Sequence, residues 1–209
     1  MNHGRGRFVD PFSALHAGLP AEVIPMALAR TRFPHFFAAV AAIFLALTAL
    51  TTSLALADDW TLTGSAVRVK TVAFIDVKVY AISHYMKQLP PSKSKQAVIE
   101  MDTSKKFVWT MKRDVDNEKI QTALKDAFAM NGYGDAGNIA TFTGAFKGEL
   151  KEKGQVSIVY DADKKETSVS TGSGSATVGG VDFMKAVWSI WLGKIDQPNL
   201  GDQLISKLP

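Results

Sequence analysis

The sequence predicts an α+β domain, a mainly antiparallel sheet with helices on one face, behind an apolar leader. Three observations predict it. Val, Ile, Phe and Tyr recur with period-two alternation between Ser65 and Met86, and again between Gln155 and Ser170. Two other segments, Asn117–Met130 and Asp182–Leu192, carry apolar residues at helical spacing. Strand runs and helix runs succeed each other without βαβ alternation, and no repeat period is visible.

The leader comes first. Phe36 to Ala57 reads FFAAVAAIFLALTALTTSLALA without a charge, between Arg30 and Arg32 on one side and Asp58-Asp59 on the other. A positive region, an apolar run and an Ala55-Leu56-Ala57 ending are the parts of a secretory signal, with cleavage expected after Ala57. The expected location is therefore periplasmic or secreted. The run is also long enough to span a bilayer, so a retained anchor is the competing expectation. Signals occupy roughly 15–30 residues, which a start at Met26 satisfies. Residues 1–25 then read as an upstream mis-start or disordered leader, 26–57 as the signal peptide and 58–209 as the domain.

Beyond Ala57 there are 20 Lys/Arg against 18 Asp/Glu, with no basic cluster, so no nucleic-acid partner is expected. Membrane contact is expected only through the leader, if uncleaved. The chain has no cysteine, which excludes disulfides, thiol catalysis and thiolate metal sites. His84 is the one histidine after the leader and lacks triad or zinc partners at recognisable spacing. It reads as structural, and neither metal nor cofactor is expected.

Within the domain, Val67 and Val69 alternate with Arg68 and Lys70, and Val77, Val79 and Ala81 with Asp76, Lys78 and Tyr80. Ile82 and Met86 then make both faces apolar, which predicts cover on both sides. Leu89-Pro90-Pro91-Ser92 is a break. Ala97–Met101 and Phe107–Lys112 read as strands. Asp114 or Asp116 can cap the Asn117–Met130 helix, whose inner face is Ile120, Leu124, Ala127 and Phe128, and Asn131-Gly132 ends it. Asn138–Leu150 is ambiguous: Ile139, Phe142 and Phe146 suit a helix face, whereas Gly144 and Gly148 weaken one. Gln155–Tyr160 and Glu166–Ser170 form a hairpin across Asp161–Lys165. A short strand at Ala176–Val178 precedes the Asp182–Leu192 helix, which carries Phe183, Val187 and Trp191 on one stripe and stops at Gly193. A last helix spans about Leu200–Leu208.

Few motifs carry chemistry. Gly172-Ser173-Gly174-Ser175 lacks the Gly-Lys-Ser/Thr of a phosphate loop and reads as a turn. Asp161, Asp163 and Glu166 lack the mid-loop glycine of a calcium loop. Asp114, Asp116 and Glu118 suit a helix start electrostatically. Trp188 and Trp191 are helix-surface neighbours that either pack the core or line a pocket. Arg68 interrupts a Val-rich strand and shares parity with Tyr80 if no bulge intervenes. A guanidinium beside a phenol can hold an anionic oxygen; the alternative is an outward-facing strand arginine.

Leu62-Thr63-Gly64-Ser65-Ala66-Val67-Arg68, Phe74 and the Val77–Met86 segment resemble the bacterial chalcone-isomerase-like proteins. So do Gly180-Val181-Asp182-Phe183, Ala186, Ile190-Trp191-Leu192-Gly193 and Leu204, so the resemblance covers essentially all of Asp58–Pro209. It implies an open-faced β-sandwich, a large antiparallel sheet covered by a layer of helices with a ligand cleft between. In plant members that isomerise chalcones, a strand arginine stabilises the attacking phenolate, and Arg68 matches it. A carbonyl-polarising threonine is replaced here by Tyr80, and a Tyr and Asn on the next helix fall at Asp116 and Ala123. Fatty-acid-binding members grip a carboxylate with this arginine and a nearby tyrosine.

The resemblance therefore implies a non-catalytic binder of a fatty acid or similar amphiphilic carboxylate, held by Arg68 and Tyr80 with Trp188 and Trp191 as further candidate ligand-binding residues. The alternative is an isomerase, an intramolecular lyase, in which Arg68 stabilises an oxyanion and Tyr80 donates a proton. A third outcome is a structural envelope domain whose cleft is filled by its own side chains.

Overall fold

The computed structural model describes residues 59–209; the expected signal peptide and the segment before it lie outside the described residues. Two long strands open the domain, β1 (Thr61–Val72) and β2 (Ile75–Met86), followed by helix α1 (Lys95–Glu100) and strand β3 (Lys105–Met111). Helices α2 (Asn117–Met130) and α3 (Ala136–Thr143) come next, then strands β4 (Gln155–Asp161), β5 (Glu166–Ser170) and β6 (Ser175–Gly179). Helices α4 (Val181–Leu192) and α5 (Asn199–Leu204) close the chain. All neighbouring strands are antiparallel, in one sheet of order β1-β2-β3-β4-β5-β6.

One face of this sheet makes the core. Tyr80, Ile82, His84 and Met86 of β2 lie on it beside Phe107, Trp109 and Met111 of β3 and Val156, Ile158 and Tyr160 of β4, all buried. The other face, with Ala81, Ser83 and Tyr85 on β2 and Val108 and Thr110 on β3, is only half-buried. The expectation that the end of β2 is covered on both sides is therefore corrected. Most bulky rings take the inner face; the outer set is small or β-branched except for Tyr85, whose ring has Lys106 Nζ 5.3 Å from its centroid.

Helix α4 lies across the core face. Phe183, Met184, Ala186, Val187, Trp188, Ile190, Trp191 and Leu192 are all buried, because α1, α2 and α5 flank it while the sheet lies beneath. Its apolar surface thus runs nearly all round, wider than the predicted stripe, as a central helix requires.

Ala97–Met101 is not a strand. Ser94 caps α1 by accepting from the Ala97 N–H, and Val98 and Ile99 are buried. A short apolar run has no periodicity that separates strand from helix; the deciding contact comes from Lys105, described below. The ambiguous Asn138–Leu150 stretch is α3 followed by irregular chain, with Leu150 bridging Val115. The last helix ends at Leu204, four residues early, although Leu208 is still buried.

The C-terminal segment closes the edge of β1. The Lys207 N–H donates to the Thr63 carbonyl at 2.8 Å, and the Thr63 hydroxyl donates to the Leu204 carbonyl at 2.8 Å. Gly64 lies between them, where a Cβ would run into the carbonyls of Gln203 and Leu204. Only glycine lets the two backbones meet so closely.

Candidate functional site

Arg68 and Tyr80 are direct cross-strand partners in the β1–β2 register, and the β-bulge falls just after them, between Arg68 and Val69. The pairing depends on that bulge: Val69 pairs with Lys78, so Val79 of β2 is the extra residue, and without it Arg68 would lie opposite Val79 with Tyr80 on the other face. The shared parity expected for an unbulged register is therefore corrected: the two residues meet because the bulge shifts the register. Arg68 does not point outward into water. Its Nη2 donates to an Asp196 carboxylate oxygen, and its Nη1 donates to the Val69 carbonyl at 3.1 Å and to Gln197 Oε1 at 3.3 Å. Lys70 Nζ holds the other Asp196 oxygen at 3.0 Å. Burial pushes the Asp196 carboxyl up, but the Lys70 and Arg68 bonds outweigh it and hold the group below its ordinary value.

Gln197 fixes this arrangement. Its Oε1 accepts from the Val69 N–H at 2.9 Å and its Nε2 donates to the Val67 carbonyl at 2.9 Å. The amide thereby pairs the backbone on both sides of Arg68, as a neighbouring strand would. A shallow cavity of about 470 Å³ opens along this edge, lined by Ser65, Ala66, Val67, Val69, Ala81 and the two glutamines Gln197 and Gln203.

Tyr80 is buried and stacked on Trp109, with ring centroids 4.6 Å apart and planes 8° from parallel. Its oxygen accepts from Trp191 Nε1 at 3.0 Å. Burial raises its pKa against the Trp191 bond and the Arg68 charge, so the phenol keeps its proton. No acceptor for that proton is found among the described residues.

Trp188 belongs to a separate group. Its Nε1 donates to His84 Nε2 at 2.8 Å, which leaves the ring proton on Nδ1, 2.6 Å from the Thr63 hydroxyl. Thr63 passes the chain on to the Leu204 carbonyl. Burial, with Lys105 nearby, holds the His84 pKa down to about 3, so the ring is neutral and structural. Lys105 is enclosed too, 5.1 Å from the Trp188 ring centroid. Its Nζ donates to the carbonyls of Val98 at 2.6 Å, Ile99 at 3.1 Å and Met101 at 2.9 Å, which finishes α1. Burial brings its pKa down to about 7.

Of the four candidate residues, the structure thus joins Arg68, Tyr80 and Trp191 and sets Trp188 apart with His84. Rings fill the space between sheet and helices: Phe107 lies 5.2 Å from Trp188 and 4.8 Å from Trp191, and Trp109 lies 5.3 Å from Trp191. Asp116 and Ala123, matched to the plant helix pair, are both exposed. The Asp161 carboxylate accepts from the Asp163 and Lys164 N–H groups within its own turn, as surface charge does. Sequence reasoning missed Asp196, Gln197 and Lys105. No local signal marks the first two, since Asp196 lies 128 positions from Arg68; Lys105 had one faint sign, a charge opening an apolar strand.

The sequence matches the chalcone isomerase-like family over residues 36–204. The chain belongs to that family. Among solved structures, this chalcone isomerase-like chain resembles a fatty-acid binding protein of Arabidopsis thaliana, with a TM-score of 0.58 and 16% identity. The likeness covers 71% of this chain and 87% of the plant protein, and at that identity it shows the fold. A search of curated proteins finds no match. The six-stranded antiparallel sheet with its helical layer is the open-faced arrangement that the family resemblance implied.

Proposed function

We propose that this is an exported chalcone isomerase-like domain that binds a fatty acid or similar amphiphilic carboxylate without turning it over. The observation that carries the reading is that Arg68 already grips a carboxylate, that of Asp196, beside a buried phenol whose proton has no acceptor among the described residues. A ligand carboxylate that replaces Asp196 gains the guanidinium and the Tyr80 hydroxyl together, two charge-assisted bonds. The shallow cavity along β1 is lined by Val67 and Ala81 of the opposite sheet face and by neither Arg68 nor Tyr80, so it is the Arg68–Tyr80 pair, not this cavity, that supports the reading. The plant neighbour's description as a fatty-acid binding protein supports the same reading.

Native mass spectrometry of the protein from its host, with displacement of a fluorescent fatty acid, tests it. Arg68→Ala is expected to weaken acid binding about tenfold to a hundredfold, the worth of a bond to a charged group. No co-purifying acid, and equal binding by Arg68→Ala, rejects it. The isomerase reading is less well supported: Asp196 neutralises the arginine, and the two matched helix positions face solvent. Chalcone turnover followed by absorbance is expected to stay at background. Export rests on the leader alone; an N-terminus near Asp58 in the secreted form supports cleavage after Ala57, and any other start removes that reading.

A further inference from the structure

The β1–β2 hairpin projects beyond the sheet. Strand β3 pairs with β2 only from Tyr80 onward, so the hairpin between Lys70 and Val77 has no third strand. From Tyr80 to Phe74 the arm extends about 20 Å at strand rise. Its tip is built against folding preference. Ala73 and Phe74 take φ of 48° and 69° in the two-residue turn, positions where Asn-Gly is the unstrained choice. Phe74 is 102% exposed and Ile75 68%. An aromatic and a β-branched residue thus stand in water on a strained turn that buries neither.

We propose that this tip is a membrane wedge: Phe74 and Ile75 enter the interfacial region of a lipid bilayer, with Lys78 behind them at headgroup level. Size decides between occupants. Two such side chains bury about 350 Å², well short of the roughly 800 Å² per partner of a stable protein interface. A bilayer needs no shaped counterpart. Charge agrees: Lys78 is exposed behind the tip, Lys70 is paired to Asp196, and the arm's one acidic residue, Asp76, accepts from the Thr71 hydroxyl at 2.7 Å. Long basic side chains at that depth reach phosphates. Arg68 sits at the root of the same arm, so a docked tip holds the carboxylate site near the membrane surface. The wedge does not depend on that site binding an acid.

Because the chain has no cysteine, Ile75→Cys in the full-length protein accepts one environment-sensitive fluorophore. Phosphatidylcholine vesicles containing phosphatidylglycerol are expected to shift its emission to the blue and expose it to lipid-borne quenchers. A label at Asp163→Cys, on the β4–β5 turn, is expected to stay aqueous, so attachment through the apolar leader is not mistaken for tip insertion. Phe74→Ser is expected to lower the inserted-to-free ratio of the tip about tenfold while leaving fatty-acid binding in solution unchanged. Its unchanged melting temperature shows that the loss is not unfolding. Lys78→Glu is expected to remove the preference for the anionic lipid. A tip label that stays aqueous with vesicles overturns the proposal. So does a shift undiminished by Phe74→Ser, or one that grows with protein concentration without lipid, which identifies a second copy as the occupant.

Discussion

Arg68 is held by a carboxylate from its own chain, so Asp196 sets how readily the site accepts another. The Asp196 side chain is about half exposed, and such a pair adds little stability, roughly 0–1 kcal/mol. Asp196→Asn is therefore expected to leave the melting temperature nearly unchanged and to tighten fatty-acid binding about fivefold to tenfold. Displacement titration checks this; equal affinity in the two proteins means that the acid does not use Arg68. His84 gives a second prediction at this scale. Its folded pKa of about 3 lies below the ordinary 6.5, so the unfolded chain binds a proton that the folded one refuses. Its stabilising share is complete above pH 6.5 and is lost as pH falls toward 3, about 5 kcal/mol across the window. Urea unfolding at steps from pH 7 to 4 is expected to show this decline, and a flatter one in His84→Gln. Equal slopes in both proteins assign the acid sensitivity to carboxylates instead.

Helix α1 shows why some elements escape a sequence reading. Lys-Gln-Ala-Val-Ile-Glu has no diagnostic period, and its six residues are too few for a helix to persist alone. Its end is satisfied from β3 by Lys105, whose three bonds reach the Val98, Ile99 and Met101 carbonyls. Helix α2, by contrast, carries its own pattern and spans Asn117–Met130 as predicted; the Ser65–Met86 run is read as strand, but its division at Ala73-Phe74 is not, because neither residue is a turn former. Lys105→Met keeps the stem and orphans those carbonyls, and is expected to cost about 1–3 kcal/mol. The loss depends on pH with a definite sign. Wild type binds its Lys105 proton only below about 7, whereas the unfolded chain keeps it up to 10.5, so wild-type stability rises between those values. Lys105→Met lacks that rise, so its deficit is expected to be larger at pH 10 than at pH 6. Faster hydrogen exchange confined to the α1 amides and their neighbours locates the effect; a pH-independent deficit shows that the amine is not the titrating group.

At the scale of the whole domain, first strand and last helix are one structural unit. Thr63 bonds to Leu204 and Lys207, Gly64 faces the Gln203 and Leu204 backbone, and Arg68 and Val69 bond to Asp196 and Gln197. The candidate site consequently combines residues about 130 positions apart. Arg68 and Tyr80 were legible as candidates from residue type and family resemblance, but their pairing rests on a bulge at Val79 that the alternation of the sequence does not reveal. The rest of the site was not legible, because a loop after α4 supplies partners whose positions depend on how the last helix docks. Gly64 is the test of that closure. Gly64→Val puts carbons where the Gln203 and Leu204 carbonyls lie, next to the register shift at Thr63, and β1 cannot move away there without disturbing the Thr63 bonds to Leu204 and Lys207. Overpacking of this kind is expected to cost about 3 kcal/mol. Hydrogen exchange is expected to show β1 and α5 losing protection together, and acid binding at Arg68 to weaken although no site residue has changed. Exchange that quickens in α5 alone, with β1 and acid binding intact, shows that the tail merely rests on the edge and that the site stands without it.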